Sequence, residues 1–213
     1  MTATVSTGLE HFIENEDQLR AIYGAAEDFA VRKCLDRLDR HARAFIAASP
    51  FLIMASHDGR GNTDCSPRGD FPGFVEVIDD HHLLLPDRPG NNRLDSLVNI
   101  LACPTIGLLF LVPSIRQTLR VNGMARITCD PALLGKHGVD GKLPKTGLLI
   151  RVEEMFLHCA KALMRSQLWK PDSWPEKGTL TSAGRIWADH LKGGLDADTL
   201  DRNLERNMPG NLW

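Results

Sequence analysis

The run TIGLLFLV, Thr105 to Val112, leaves this chain the least freedom. It is continuous and apolar, far shorter than the ~20 residues of a membrane span, and Pro113 and Ser114 break it. Such a segment suits the middle of a sheet, so its neighbours are read first for strands. FLIMAS, Phe51 to Ser56, is a second short apolar run, and HDGRGN after it carries the Asp-Gly signal of a tight hairpin. Thr63 to Asp70, Phe74 to Ile78 and His81 to Leu85 continue as a meander. Arg116 to Thr128 and Gly147 to Cys159 read as longer strands. Gly123, inside the first of these, predicts a bulge or a close approach of another group.

Two of these strands carry polar faces. In Thr63 to Asp70, the residues Asp64, Ser66, Arg68 and Asp70 share one side, with Cys65 and Pro67 on the other. That side either meets solvent, which composition favours, or looks into a polar site. In Arg116 to Thr128, Thr118, Arg120 and Asn122 lie opposite Leu119 and Val121. Between the strand ending at Leu85 and the apolar run sits a turn with Arg88, Asn91, Asn92 and Arg93. Asn91 or Asn92 is expected to cap a short helix with Leu94, Leu97, Val98 and Leu101 on its apolar face. Its free N–H groups and two guanidinium forks would suit a phosphate dianion. The plainer alternative is a polar turn whose arginines lie in water.

Helical spacing runs from Asn15 to about Ala48 through Val31, Leu35, Leu38, Ala42 and Phe45. Asp130 to Thr146 reads as a mobile loop with at most one helical turn, able to cover a pocket. From Ala160 to Trp169 the helical period returns, and His158, Lys161 and Arg165 form a basic stripe. A polar helical tail spans Thr181 to Asn207. About six strands with short turns predict a mainly β, antiparallel barrel or sandwich with helices at both ends. No repeat or linker divides the 213 residues, so one domain is expected.

A formal net charge of −2 gives no basis for a nucleic-acid or membrane partner, and any anion site must be local. Five widely spaced cysteines without a C-x-x-C pair point to reduced thiols. With no signal-peptide pattern, a soluble cytoplasmic protein is expected. G-x-S-x-G, H-E-x-x-H and G-x-x-x-x-G-K-[ST] are absent, and the eight histidines are scattered, which disfavours a metal site. What remains is a set of cations and hydrogen-bonding groups: Ser66, Arg68, Arg88, Asn92, Arg93, Thr118, Arg120, Lys161 and Arg165. They suit a phosphorylated ligand with a flat body, and lacking a nucleophile they point to a cofactor that carries the chemistry.

Three motifs sharpen this: P-D-R-P-G-N-N-R-L-D-S-L-x-N at Pro86 to Asn99, S-P-R-G-D at Ser66 to Asp70, and T-L-R-V-N-G-x-A at Thr118 to Ala125. With H-C-A-K-A and R-S-x-L-W at His158 to Trp169, they resemble the split-barrel flavoproteins related to pyridoxamine 5′-phosphate oxidase, in the bacterial FMN-binding branch. The resemblance implies a six-stranded Greek-key split β-barrel over about 45–169, to which the helical spacing adds extensions at 15–48 and 181–207. It implies a homodimer with one FMN at each end of the interface. Asp87, Arg88, Asn92 and Arg93 would then surround the phosphate, and Ser66 and Arg68 the ribityl chain and ring edge. Thr118, near Arg120, stands where the oxidases have a glutamine; Lys161 and Arg165 would come from the partner subunit. Asp196 to Trp213 has no counterpart of the C-terminal segment that grips pyridoxamine phosphate, which tells against vitamin B6 oxidation. Ser114 and Gln117 replace a glycine and a glutamate and alter the expected ring contacts. The implied activity is an FMN-dependent oxidoreductase acting on a small organic substrate. Its rivals are a non-catalytic flavin store or sensor, and a structural dimer whose basic groups only pair with acids such as Asp87 and Asp95.

Overall fold

The computed structural model describes residues 11–191, 193–207 and 212. The chain divides into two compact units, one up to Cys34 and one from Leu35.

In the first unit, the Asn15 side chain accepts the Gln18 amide and opens α1 (Glu16–Tyr23), which ends at Gly24 with φ 73°. A second short helix, α2 (Asp28–Arg32), follows, and neither helix buries a residue. The single helix expected from Asn15 to Ala48 is therefore corrected. Gly24 interrupts it, and at Leu35 the chain becomes extended, exchanging backbone hydrogen bonds of 2.9 and 2.7 Å with Met155. Those long-range bonds outweigh the local period.

The second unit starts its regular structure with α3 (Arg40–Ala48), where the Asp39 carboxylate accepts the His41 and Ala42 amides. The strands are β1 (Phe51–His57), β2 (Thr63–Gly69), β3 (Glu76–Val77) and β4 (His82–Pro86). After α4 (Asp95–Ala102) come β5 (Thr105–Leu111), β6 (Thr118–Thr128), α5 (Pro131–Leu134) and β7 (Gly147–His158). Every pairing is antiparallel, in the order β2-β1-β5-β6-β7-β4-β3. Mainly antiparallel β with added helices is as expected, but the count of six strands becomes seven, and the ladder is open with β2 and β3 as its edges. All seven segments read as strands do form one, and the expected Phe74 to Ile78 strand shrinks to the two residues of β3.

Period-2 burial builds the core. Leu52 and Met54 of β1, Ile106, Leu108 and Phe110 of β5, and Leu119 and Val121 of β6 point inward with Leu148, Ile150 and Val152 of β7. One register shift interrupts this. Asn122 faces Glu154 while Gly123 faces Val152, so Glu153 is the extra residue of a bulge, and beyond it Met155 takes the inward position. Both properties expected of Gly123 hold, since a Cβ there would lie 2.1 Å from the Arg151 carbonyl oxygen. Past β7 lie α6 (Lys161–Ser166), α7 (Ala183–Leu191) and α8 (Ala197–Asn207), the last two packed together where the Gly184 amide donates to Asp201 Oδ1 at 2.7 Å. No helix among the described residues is long and apolar enough to cross a membrane.

Candidate functional site

Strand β2 is an edge, yet its polar side is not given up to water. Asp64, Ser66 and Arg68 are half-buried while Thr63, Cys65, Pro67 and Gly69 are exposed. The cause is α4, which packs against β1, β2 and β6 and lowers Ser96 onto that side. Ser96, 3% exposed, is the hub: its Oγ lies 3.0 Å from Ser66 Oγ, donates to Asp64 Oδ2 at 2.5 Å and accepts from Arg68 at 3.1 Å. Arg68 also reaches Asp87 at 3.5 Å, but its buried Nε has no hydrogen-bond partner. An unpaired buried N–H of a guanidinium is costly, and a ligand acceptor would satisfy it. Burial pushes the Asp87 carboxyl above the usual range, with the Arg68 charge only partly offsetting it.

The polar turn leads directly into α4. Asn92 and Leu94 both adopt left-handed conformations, φ 59° and 60°, and the Asn91 side chain accepts the Arg93 amide at 3.0 Å. The expectation that Asn91 or Asn92 caps α4 is thereby corrected: Leu94 occupies the cap position, without a side-chain bond. The helix phase also differs from the expected apolar stripe. Leu97 packs against the core, but Leu94, Val98 and Leu101 are 50%, 58% and 77% exposed, and Ser96, Asn99 and Ile100 face inward. Satisfied polar groups make that phase tolerable, as Asn99 Nδ2 donates to the buried Ser56 Oγ at 3.2 Å.

Arg88 is anchored from below: its Nε donates to the buried Asp70 Oδ2 at 2.6 Å and its NH1 to the His137 carbonyl at 2.8 Å. The His137 ring meets Glu76 Oε2 at 2.9 Å, and Lys136 pairs with the same carboxylate. Burial would raise the Glu76 carboxyl, but the hydrogen bonds from Lys136 and His137 outweigh it and hold it below the usual range. Arg93 is 72% exposed and paired with Asp95 at 2.9 Å.

These elements enclose a cleft of about 840 Å³ with three walls. Asp64, Ser66 and Arg68 form the first, the stretch 87–97 the second and Lys142 to Thr146 the third. Of the residues predicted from sequence, Ser66, Arg68, Asp87, Arg88, Asn92 and Arg93 come together there. Thr118, Arg120, Lys161 and Arg165 do not line it. Thr118 is buried opposite His158, and Arg120 donates to Asn122 Oδ1 at 3.3 Å and lies 5.3 Å over the Phe156 ring. Lys161 and Arg165 are exposed on α6. Sequence reasoning misses Ser96, which it holds only as one letter of the Pro86 to Asn99 motif, and Asp64, which it places on the right face without giving it a role. It also missed Lys142, Lys145 and Thr146, although the Asp140-Gly141 pair before them carries the hairpin signal used at Asp58-Gly59.

The donors present, guanidinium forks, hydroxyls and ammonium groups, fit an oxyanion headgroup. Among the described residues no three histidines, cysteines or acids are placed to hold a metal ion. The sequence profile of the family described as Pyridoxamine 5′-phosphate oxidase matches residues 38–159. The chain belongs to that family. The matched stretch runs from just before α3 to the end of β7, and so contains all seven strands and the whole cleft, while α6 to α8 fall beyond it. No curated protein matches the chain. Among solved structures, HupZ of Group A Streptococcus is 19% identical, covering 56% of this chain and 92% of its own, with a TM-score of 0.46. An FMN-binding protein of Syntrophomonas wolfei is 11% identical over 68% of this chain and 97% of its own, TM-score 0.46. HutZ, the heme storage protein of Vibrio cholerae, is 14% identical over 57% and 94%, TM-score 0.40.

Proposed function

We propose that the cleft binds FMN by its phosphate and that the protein is an FMN-dependent oxidoreductase acting on a small organic substrate. The observation that carries this is Arg68, a half-buried side chain whose buried Nε is unsatisfied beside two serine hydroxyls, inside the family's matched stretch. A bound flavin supplies hydride and electron transfer; the chain's own groups bind, orient and exclude water. Ser66, Ser96 and Arg68 offer donors to the ligand, and Asn92 and Arg93 border the open side of the cleft. Arg88, committed to Asp70 and the His137 carbonyl, fixes the second wall.

Purified protein is expected to quench the fluorescence of added FMN with Kd ~1 µM or tighter, and the bound flavin to be bleached by NADH or NADPH. Absence of any FMN affinity would overturn the proposal. Bound flavin that no nicotinamide reduces and oxygen does not reoxidise would move it to a store or sensor.

The cleft is also proposed to be completed by a second copy of the chain. Leu94, Val98 and Leu101 present an exposed apolar row on α4, whose inner side carries Ser96 into the cleft. In this homodimer Lys161 and Arg165 approach the cofactor from the partner. The double variant Val98→Asp, Leu101→Asp is expected to convert a dimer to a monomer in sedimentation velocity while leaving the fold intact. A wild-type monomer at tens of micromolar, or a variant that still dimerises, would sink this arrangement.

A further inference from the structure

A histidine, a cysteine and a methionine gather at one end of the sheet, and none of them lines the cleft. His57 closes β1 one step beyond the pairing of Ser56 with Ile106, and Thr105 opens β5 opposite Met124 of β6. Ser56 and Ile106 are buried, so the period of two turns His57, Thr105 and Met124 to the outer side of the sheet. Cys103 caps the end of α4 and reaches the same place. Its Sγ lies 3.6 Å from His57 Nε2 and 3.8 Å from Thr105 Oγ1, and that hydroxyl lies 3.6 Å from Met124 Sδ.

The spacing of Cys103 and His57 is that of two ligands on one ion. A metal held at ~2.3 Å by a thiolate and ~2.0 Å by an imidazole, with about 110–120° between them, sets those donors about 3.6 Å apart. Both residues are pinned. The Cys103 amide donates to the Asn99 carbonyl at 2.7 Å, and the next residue's carbonyl, on Pro104, accepts the Ala125 amide at 2.8 Å. On the other side, Asp58 fixes the hairpin tip by accepting the Arg60 and Asn62 amides at 2.7 and 3.1 Å and Asn62 Nδ2 at 2.6 Å. A Cβ on Gly59 would stand 3.8 Å from Cys103 Cβ, so the tip lies against the cysteine. Coordination through Nε2 places the ring proton on Nδ1, and the exposed Gly59 amide, which donates to Nδ1 at 3.1 Å, turns to water. Met124 is half-buried, and its thioether on three rotatable bonds reaches the ion once the exposed Thr105 hydroxyl rotates aside.

Among the described residues no further histidine, cysteine or acid completes a group of three, so the third donor is the thioether. A thiolate, a thioether and one imidazole make a soft set of three. It suits copper(I), whereas closed zinc sites take four donors from cysteine, histidine or acids. We infer that Cys103, His57 and Met124 form a binding site for copper(I), separate from the flavin cleft and independent of it. As the Cu–S bond forms, the Cys103 thiol gives its proton to solvent and the metal keeps its single positive charge, so cation and thiolate neutralise each other.

The test titrates the full chain with copper(I) under reducing, oxygen-free conditions, read as competition with a chromogenic copper(I) chelator. In the parent protein Cys34, Cys65, Cys129 and Cys159 are changed to Ser; none of the four is buried, so the fold is expected to hold, and Cys103 remains as the one thiol. One equivalent of copper(I) is expected to bind. Cys103→Ser is expected to abolish that binding, and His57→Gln and Met124→Leu each to weaken it at least ~10-fold, with metal-free thermal midpoints within about 4 °C of the parent. X-ray absorption at the copper edge is expected to show two sulfurs and one nitrogen around the metal. Affinity within about threefold of the parent in either His57→Gln or Met124→Leu would reduce the site to a single thiol and overturn it. Binding that survives Cys103→Ser, or a copper shell of nitrogen and oxygen alone, would do the same. No readout involves flavin, so failure here leaves the cleft proposal standing, and failure to bind FMN leaves this one.

Discussion

Gly123→Ala is expected to cost the protein ~3–5 kcal/mol, the range in which single substitutions disrupt a core. The added Cβ would stand 2.1 Å from the Arg151 carbonyl oxygen, 3.1 Å from its carbon and 3.4 Å from Val152 Cα. All three are backbone atoms of β7, so no side chain can swing away. Relief requires β6 and β7 to separate at the bulge, in the longest ladder among the described strands, which joins Thr118–Thr128 to Gly147–His158. Val121, Ala125, Val152 and Met155 flank that point and are all buried, so the separation would also loosen the core. For a chain of this size the loss corresponds to a thermal midpoint lower by ~10 °C or more. Gly135→Ala is the control, because nothing lies within 4 Å of a Cβ there, and it is expected to stay within about 0.5 kcal/mol of wild type. Urea and thermal denaturation of the two variants decide the matter. A Gly123→Ala protein as stable as Gly135→Ala would mean that the two strands do not approach as described.

Gly123 shows why part of this fold is readable from sequence. A glycine amid alternating polar and apolar residues has few other uses, and the apolar runs at Phe51 and Thr105, short and bounded by proline or turn residues, read as strands rather than helices. Where a decision rested on a surface not yet placed, the sequence could not make it. Composition favours solvent over a site for the polar face of β2, and only α4 lying across it turns that face into a wall of the cleft. The phase of α4 was misjudged for the same reason. Counting apolar residues turns Leu94, Val98 and Leu101 inward, whereas Asn99 and Ser96 find partners on β1 and β2 that no local pattern announces. Likewise Arg88 reads as a ligand arginine until Asp70 and the His137 carbonyl are seen to hold it, the latter 49 residues away in sequence. The acid-pairing alternative described Arg93 and Asp95 well, and Arg68 and Asp87 in part.

Arg68→Ala is expected to weaken FMN binding ~100-fold, about 2.7 kcal/mol, the order of a charge-assisted hydrogen bond together with the desolvated partners it leaves behind. Arg68→Lys keeps the charge but not the fork and should recover only part of the loss. Arg93→Ala, removing a side chain that is 72% exposed and already paired, should change affinity less than about threefold. A flat ranking of these variants would show that the headgroup does not sit against β2. Arg68 also governs Asp87, whose carboxyl is pushed up by burial and drawn down only by this guanidinium. Its removal should raise the Asp87 carboxyl further. A carboxyl raised in the folded state stabilises the fold only while it is protonated, below its unfolded value of ~3.9, and that contribution is lost as pH climbs through the folded value. The stability deficit of Arg68→Ala should therefore be largest at neutral pH and shrink as pH falls through the carboxylate range, where wild type and variant converge. Adding Asp87→Asn to Arg68→Ala should abolish that pH dependence, because the group whose charge became uncompensated is gone. A deficit that persists unchanged into acid would place the role of Arg68 in packing against Ser96, where its contact is independent of the charge on Asp87.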